Sequence, residues 1–276
     1  MLAPFLVMVR EGFEAALVVV LVFAYLRRID RLDLGRSVWV GVAAAVGVSI
    51  SVGIVIRATV GELAGAGRLR AFAAISIVAV AVLTWMVFWM RSQARSIRPV
   101  LESKVDRALG ADNVGAALVL VAFVAVLREG IEAVLFMLAL SDRSSPTSLL
   151  VGAGAGLVVA ALLAGVVYLG GRRLPMRLFF SVTGVVLIVF AAGLLARSVQ
   201  LLQAGHDLGS VNLNGVYDLR DVSWLTTRTE VGRFLAALFG WDPRPSLEQV
   251  VAWVGYLVPV GWLFLRPARM GSRAAS

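Results

Sequence analysis

Two copies of one charged pentapeptide lie inside apolar stretches that are long enough to cross a membrane. Residues 10–14 read Arg-Glu-Gly-Phe-Glu, and residues 128–132 read Arg-Glu-Gly-Ile-Glu. A charged side chain at the centre of a bilayer costs roughly 2.5–3.5 kcal/mol on insertion scales. Because the chain accepts this cost twice, with the same residue types at the same spacing, the two copies indicate a functional site in the membrane interior.

The apolar stretches determine the fold class. The chain has 276 residues, of which 60% are hydrophobic, whereas a soluble domain has about 45–50% apolar residues. In lipid only a helix or a closed barrel satisfies its own backbone polar groups, and a spanning helix needs roughly 20 residues. We therefore predict an all-α polytopic membrane protein that forms one transmembrane domain over residues 1–276. Its seven transmembrane helices are predicted near residues 2–26, 38–58, 71–90, 114–140, 149–170, 178–200 and 250–265.

The arginine-rich connections predict the orientation of these helices. At least three arginines lie in each of the loops 27–37, 91–113 and 171–177 and in the tail 266–276. Positive residues next to spans favour the cytoplasmic side, so we expect the N-terminus outside and the C-terminus inside. Segment 57–70 also holds three arginines and is the one exception to this pattern.

The connection 201–249 is predicted to be a long outer loop before the last helix at 250–265. Within it, residues 231–241 carry apolar side chains at helical spacing. We expect this stretch to lie on the membrane surface or to cap the helices.

The two motifs also predict an internal repeat. They recur at an offset of 118 residues, and the match continues into Glu-Ala-x-Leu at residues 14–17 and 132–135. Three predicted spans separate the copies, so the first and fourth helices would run in opposite directions. This is the arrangement of an inverted repeat, with halves of approximately 1–92 and 113–200 and a site near the membrane midplane between them.

Helical geometry places the charged residues of each motif on one face. Successive residues advance by about 100°, so Arg10, Glu11 and Glu14 share an arc, and Gly12 points away from it. Residues 128–132 repeat this geometry, and the glycine in each copy would allow close approach of a neighbouring helix. If the two arcs face each other, four carboxylates meet two guanidiniums, and the remaining negative charge would attract a cation.

The composition restricts the chemistry of such a site. The chain has no cysteine and a single histidine, so a metal would be bound mainly by carboxylate oxygens, which suit hard or borderline cations. These ligands do not separate Fe²⁺, Fe³⁺ and Mn²⁺. Two other readings of the motifs stay open, namely an Arg–Glu brace between helices and a proton relay. The net charge of +9 is explained by the loop arginines, and no nucleic-acid partner is expected.

Residues outside the motifs are weaker candidates. His206, Asp207, Asp218 and Asp221 could capture a metal at the outer mouth, although polar residues of a solvated loop are the simpler interpretation. Trp85 and Trp89 are expected to anchor the membrane interface, and Arg197 is expected to snorkel towards it. Ser49 could line a path, but bonding to its own helix backbone is more common.

The two pentapeptides resemble the motif of the FTR-type high-affinity iron permeases and match the bacterial, EfeU-like ferrous-iron uptake branch closely. The resemblance covers nearly the whole chain and includes Phe-Gly-Trp at 239–241, Pro-Ser at 245–246 and Tyr-Leu-Val-Pro at 256–259. It implies multi-pass insertion in the cytoplasmic membrane and import of iron as Fe²⁺ or Fe³⁺. The implied metal ligands are Glu11, Glu14, Glu129 and Glu132, with Arg10 and Arg128 as their partners.

The resemblance further implies that iron is a transported substrate and that no prosthetic group is bound. The partners would be membrane lipid, the iron ion and periplasmic proteins that bind or oxidise iron. Two alternatives remain at this point: an intramembrane carboxylate–metal enzyme acting on a lipid, and a permease for another divalent metal such as Mn or Pb. The sequence leaves the oligomeric state open.

Overall fold

A computed structural model of the chain describes residues 2–93, 97–142, 144–169, 176–210, 215–222, 225–226 and 229–266. Within these ranges, regular secondary structure is entirely helical, which confirms the all-α prediction. The α-helices are α1 (Leu2–Arg28), α2 (Gly35–Glu62), α3 (Gly65–Gln93), α4 (Ile97–Leu109), α5 (Val114–Ser141), α6 (Pro146–Tyr168), α7 (Met176–Ala204), α8 (Glu230–Phe239) and α9 (Leu247–Leu265), and a short 3₁₀ turn covers Leu32–Leu34.

The long helices coincide with the predicted apolar stretches. Within the part of the chain that the structure describes, six segments are long and apolar enough to cross a membrane, and they belong to α2, α3, α5, α6, α7 and α9. Helix α1 is 27 residues long, but Arg10, Glu11 and Glu14 give it more charge than an ordinary span. The composition of α1 therefore departs from that of a plain membrane helix at the first motif.

Side-chain caps fix where several helices begin. Asn113, Ser145, Thr229 and Ser246 each accept a hydrogen bond from a backbone N–H in the first turn of α5, α6, α8 and α9. Such a cap satisfies a donor that has no partner within the helix, and its loss typically costs about 1 kcal/mol.

The helices pack mainly across the predicted halves of the chain. Helix α1 lies against α6, α2 lies against α5, and α3 lies against α7, while α1 and α5 also contact each other. Glycines permit the first two of these contacts. A Cβ added at Gly156 of α6 would lie 2.7 Å from the Phe5 carbonyl oxygen of α1, and one added at Gly41 of α2 would lie 3.0 Å from Ala122 Cβ of α5.

The order of these contacts gives the relative direction of the helices. Along α2, Gly41 faces Ala122 and Gly53 faces Val134, so residue numbers rise together and α2 runs parallel to α5. Helices α1 and α2 are joined by a short turn, across which the rings of Phe23 and Trp39 lie 5.9 Å apart. Helix α1 therefore runs opposite to α2 and to α5.

Helix α4 was not expected, because the sequence analysis treated residues 91–113 as a loop. It is amphipathic: Leu101, Val105 and Ala108 are buried in one apolar cluster with Val22 and Leu26 of α1. Charged residues on its other face interrupt the apolar sequence, so the segment lacks the long apolar stretch that predicts a membrane span. Helix α4 closes the end of the bundle at which α1 finishes and α5 begins.

Helix α8 confirms the helical spacing predicted at 231–241. It packs against α7 and α1. It ends at Gly240, whose φ of 69° lies in the left-handed region. A Cβ added at Gly193 of α7 would lie 2.7 Å from the Phe239 carbonyl carbon, so the end of α8 is seated directly on α7. The helix thus caps neighbouring helices, one of its two predicted roles.

Part of the predicted topology lies outside the described residues. The cytoplasmic assignment of loop 171–177 and of the tail 266–276 depends on their arginines. Those at 172, 173, 269 and 273 lie outside the described residues. The orientation with the N-terminus outside therefore stays a prediction.

Candidate metal site

The two motifs meet between α1 and α5. Carboxylate oxygens of Glu11, Glu14 and Glu129 all lie within 4.8 Å of one another, and the three residues are buried. Glu132 is also buried, with 5% of its surface exposed. The arcs predicted from the helical geometry therefore face each other. We refer to Glu11, Glu14, Glu129 and Glu132 as the carboxylate cluster.

Arg10 is enclosed on every side. Its Nη1 lies 3.0 Å from Glu11 Oε1, and its Nη2 lies 3.2 Å from Glu14 Oε1. The same two nitrogens contact the sulfur atoms of Met86 and Met90 of α3 at 3.3 and 3.2 Å. Arg10 thus neutralises part of the charge of the first motif and is fixed by α3.

Arg128 occupies the corresponding place in the second motif, with different surroundings. Its Nε donates a hydrogen bond of 2.9 Å to Glu132 and lies 3.9 Å from Glu129. Its guanidinium carbon lies 4.2 Å from the ring centroid of Trp89 and 5.1 Å from that of Trp85. Trp85 and Trp89 were expected to anchor the membrane interface, which stays a prediction, and their rings contact this arginine.

The cluster retains acceptors that the protein does not use. Glu11 Oε2, Glu129 Oε2 and Glu132 Oε2 are buried and have no hydrogen-bond donor, and Glu14 Oε1 has only the ion pair with Arg10. Four carboxylates face two guanidiniums, so negative charge is in excess when all six groups are ionised. Buried carboxylates without donors are costly, and a bound cation would satisfy their oxygens.

The glycine of each motif lies against a neighbouring helix, as predicted. A Cβ added at Gly12 would lie 3.0 Å from Leu157 and 3.1 Å from Ala160 of α6. A Cβ added at Gly130 would lie 2.9 Å from the Ser49 Cβ of α2 and even closer to its Oγ. The small residues therefore set how closely α6 approaches α1 and how closely α2 approaches α5.

A cavity of about 670 Å³ leads to one side of the cluster. Glu11 and Glu129 lie in its wall together with Ser49, and its other end is bounded by Arg57 and Ser141 near the ends of α2 and α5. Ser49 also donates a hydrogen bond of 2.9 Å to the Ala45 carbonyl. Its hydroxyl is therefore bonded to its own helix, which was the simpler expectation, while the residue itself lines the cavity.

The residues predicted at the outer mouth are exposed and lie apart from the cluster. Asp207 pairs with Arg70 at 2.6 Å, and Asp218 pairs with Arg220 at 2.6 Å. Hydrogen bonds from Arg70 lower the pKa of Asp207, and those from Arg220 lower the pKa of Asp218 to about 2.

His206 lies two residues after the end of α7, with its φ of 62° in the left-handed region, and Asp221 is exposed. Among the described residues, the carboxylate cluster supplies the one group of three or more potential metal ligands. The role of the outer mouth in metal capture stays a prediction.

A second polar network, which the sequence analysis missed, joins α7 to its neighbours. Arg197 donates a hydrogen bond of 2.8 Å from Nε to Asp142 and also bonds to Gln200. Gln200 in turn donates to Asp242 at 2.5 Å. Arg197 was expected to snorkel to the membrane interface, which stays a prediction, and its guanidinium forms an ion pair with Asp142, the residue that follows α5.

Comparisons with known proteins agree over the full length of the chain. The model of the Iron permease FTR1 family matches residues 1–274. The chain is 38% identical to the "Ferrous iron permease EfeU" of Yersinia pestis, across 100% of this chain and 97% of that protein. It is 37% identical to the protein of the same name from Escherichia coli (strain UTI89 / UPEC), across 100% and 99% of the two chains. The relative from Escherichia coli (strain K12), with the same identity and coverage, has the word inactive in its name. No solved structure matches the chain.

Proposed function

Because the chain belongs to the Iron permease FTR1 family, a family of transporters rather than enzymes, we propose that it imports iron across the cytoplasmic membrane through the carboxylate cluster. The multi-pass membrane character follows from the apolar helices and from permease relatives of the same length. These relatives are named ferrous iron permeases, which makes iron the expected substrate. One relative is named as inactive, so iron uptake by this chain is the deciding measurement.

The convergence of the two motifs is the observation that carries the proposal. Three glutamates from two helices bring their oxygens within 4.8 Å of one another, although each is buried and negatively charged when ionised. A structural brace would need one carboxylate for each arginine, and here each arginine has two carboxylates nearby. A cation that exchanges with solvent gives the additional carboxylates a function.

The helix packing supports a transport mechanism. In the proposed topology α1, α2, α3, α5, α6, α7 and α9 are the seven spans, and the halves α1–α3 and α5–α7 form an inverted repeat. The exchange of partners between the halves, α1 with α6 and α2 with α5, is what a two-fold relation would produce. The motifs lie near the middle of α1 and α5, as expected for a site at the interface of two repeats.

The cavity gives the cluster a route to one surface. With the N-terminus outside, Arg57 and Ser141 lie at the outer ends of α2 and α5, so the cavity opens towards the outside. A metal ion would reach Glu11 and Glu129 first, because these two residues line the cavity. Periplasmic proteins that bind or oxidise iron would deliver the ion at this side.

At the cluster, carboxylate oxygens would replace the water molecules around the ion. Each new contact with the metal competes with an existing contact to Arg10 or Arg128, so the arginines limit how tightly the ion is held. Release requires such a limit, since several unopposed carboxylates would retain Fe³⁺ strongly. Oxygen ligands accept Fe²⁺, Fe³⁺ and Mn²⁺.

Uptake of radioactive iron into proteoliposomes tests the proposal. Glu14→Gln and Glu132→Gln keep the size of the side chain and remove one carboxylate each, so each is expected to abolish saturable uptake while the protein still inserts. Glu62→Gln, at an exposed position in the last turn of α2, is the matched control and should transport normally. Full transport by both cluster variants would refute the proposed site. Competition with Fe³⁺, Mn²⁺ and Pb²⁺ would identify the preferred ion.

A further inference from the structure

Helix α3 contacts both motif arginines and uses a different pair of side chains for each. Met86 and Met90 contact Arg10 through their sulfur atoms. Trp85 and Trp89 contact Arg128 through their ring faces. Both pairs are spaced by four residues, so they form two neighbouring stripes on one helix. The sequence motifs do not include any of these four residues.

The two arginines differ in how firmly they are held. The Arg10 side chain is 3% exposed and forms ion pairs with Glu11 and Glu14. The Arg128 side chain is 29% exposed and forms ion pairs with Glu132 at 2.9 Å and with Glu129 at 3.9 Å. Each guanidinium also has one buried nitrogen without a hydrogen-bond partner. Arg128 lacks the two sulfur contacts of Arg10 and is the more exposed of the two, so it has more freedom to move.

The tryptophan rings form a continuous apolar surface next to this guanidinium. The Trp85 and Trp89 centroids lie 6.1 Å apart with an interplanar angle of 24°. A guanidinium over the face of such a ring gains about 0.5–2 kcal/mol, with the larger value when water is excluded. This attraction does not require a carboxylate, and it grows when Glu132 turns to another partner, because the ring then faces a positive charge that is no longer neutralised. The difference in this attraction between the two states is what changes the affinity for the ion.

Binding of a cation changes which groups neutralise the charge of Arg128. An ion that takes Glu132 as a ligand weakens or removes the hydrogen bond from Arg128 Nε. A guanidinium left unpaired in an apolar surrounding is costly. The rings of Trp85 and Trp89 are the remaining favourable contact for it, and they are already in place in the structure.

We propose that Trp85 and Trp89 are positioning residues, which hold Arg128 when a metal cation takes over its carboxylates and thereby set the affinity of the cluster for the ion. The inference rests on the proposed function. It assigns to α3 a part in metal binding, although α3 contains no metal ligand. It also makes the two halves of the site unequal, because two thioethers contact Arg10 beside its two carboxylates, whereas two aromatic rings contact Arg128 beside its own two.

The test is equilibrium binding of Mn²⁺ to the purified, full-length protein in detergent, with Fe²⁺ measured under anaerobic conditions. Trp89→Leu removes the ring and should weaken binding by about twofold to thirtyfold, the range of a cation–π contact. Trp89→Phe keeps a smaller ring and should give an intermediate loss. Trp39→Leu is the control, since it removes a tryptophan ring from α2 that faces Phe23 and not a motif arginine.

A double-mutant cycle separates positioning from a general structural effect. In an Arg128→Gln background there is no guanidinium to hold, so adding Trp89→Leu should not weaken Mn²⁺ binding further. Wild-type affinity in Trp89→Leu would overturn the proposal, and so would an equal loss of affinity in both backgrounds. Glu14→Gln in the same assay tests the cluster itself. Loss of binding there with wild-type affinity in Trp89→Leu would refute the role of the tryptophans and leave the proposed metal site intact.

Discussion

Replacing Gly130 by alanine is expected to push α5 away from α2 beside the carboxylate cluster. The new Cβ would lie 2.9 Å from Ser49 Cβ and closer still to Ser49 Oγ. Ser49 cannot turn away without losing its 2.9 Å hydrogen bond to the Ala45 carbonyl. The clash therefore has to be relieved by a shift of the backbone, which also carries the neighbouring Glu129.

Two opposing contributions determine how much Gly130→Ala changes the stability of the protein. Overpacking of a well-packed contact costs about 1–3 kcal/mol, and the contact with Ser49 is tight enough to place it in the upper half of that range. Exchange of glycine for alanine within a helix returns up to about 1 kcal/mol. We expect a net loss of about 1–2 kcal/mol, or roughly 2–8 °C in Tm for a chain of this size.

Thermal unfolding of the purified protein and iron uptake are the two assays. Gly130→Ala should lower both stability and uptake, and the double variant Gly130→Ala with Ser49→Gly should restore both, because it removes the clashing side chain. Gly47→Ala is the control on α2, since an added Cβ there meets no atom within 4 Å. Wild-type stability and transport in Gly130→Ala would refute the close contact between α2 and α5.

Three further outcomes are expected. Arg10→Met should lower the free energy of unfolding by about 3–5 kcal/mol in metal-free detergent, because it leaves buried carboxylates without their cation. Added Mn²⁺ should restore part of the loss, and unfolding at the wild-type temperature would contradict this expectation. Arg70→Gln should raise the pKa of Asp207 towards its ordinary value in an NMR titration, because hydrogen bonds from Arg70 lower that pKa. The Arg70–Asp207 ion pair should accordingly be present above the ordinary carboxylate pKa of about 3.9 and be lost as the pH falls through the lowered pKa of Asp207. An unchanged titration of Asp207 in Arg70→Gln would show that the pair does not form. Gly156→Ala should destabilise the protein, since its new Cβ would lie 2.7 Å from the Phe5 carbonyl oxygen. The control Gly154→Ala should be tolerated, because a Cβ there meets nothing within 4 Å. Equal stability of the two variants would argue against the packing of α6 on α1.

The parts of the fold that follow from local sequence were predictable. Long apolar runs must become helices in a membrane, so the positions of α2, α5 and α6 follow from composition and length. The shared face of Arg10, Glu11 and Glu14 follows from helical periodicity alone, and the observed ion pair between Arg10 and Glu14 agrees with it. The duplication of the motif added the expectation that the two faces meet, which the cluster confirms.

Features that depend on contacts between distant helices could not be read from the sequence. Met86 and Trp89 look like ordinary residues of an apolar span, and their contacts with Arg10 and Arg128 appear only when α3 is placed beside α1 and α5. Helix α4 was missed because its apolar stripe, which includes Val105, is interrupted by charges. Arg197 could have snorkelled or formed an ion pair, and the choice depends on where Asp142 lies after α5 ends.

The most direct test of the central claim is to locate the transported ion in an experimental structure. Crystals of the wild-type protein containing Fe²⁺ or Mn²⁺ should show an anomalous scattering peak between the carboxylates of Glu11, Glu14 and Glu129, and this peak should be absent in Glu14→Gln. Metal bound elsewhere while these three carboxylates remain empty, or a structure in which α1 and α5 hold the two motifs apart, would contradict the account.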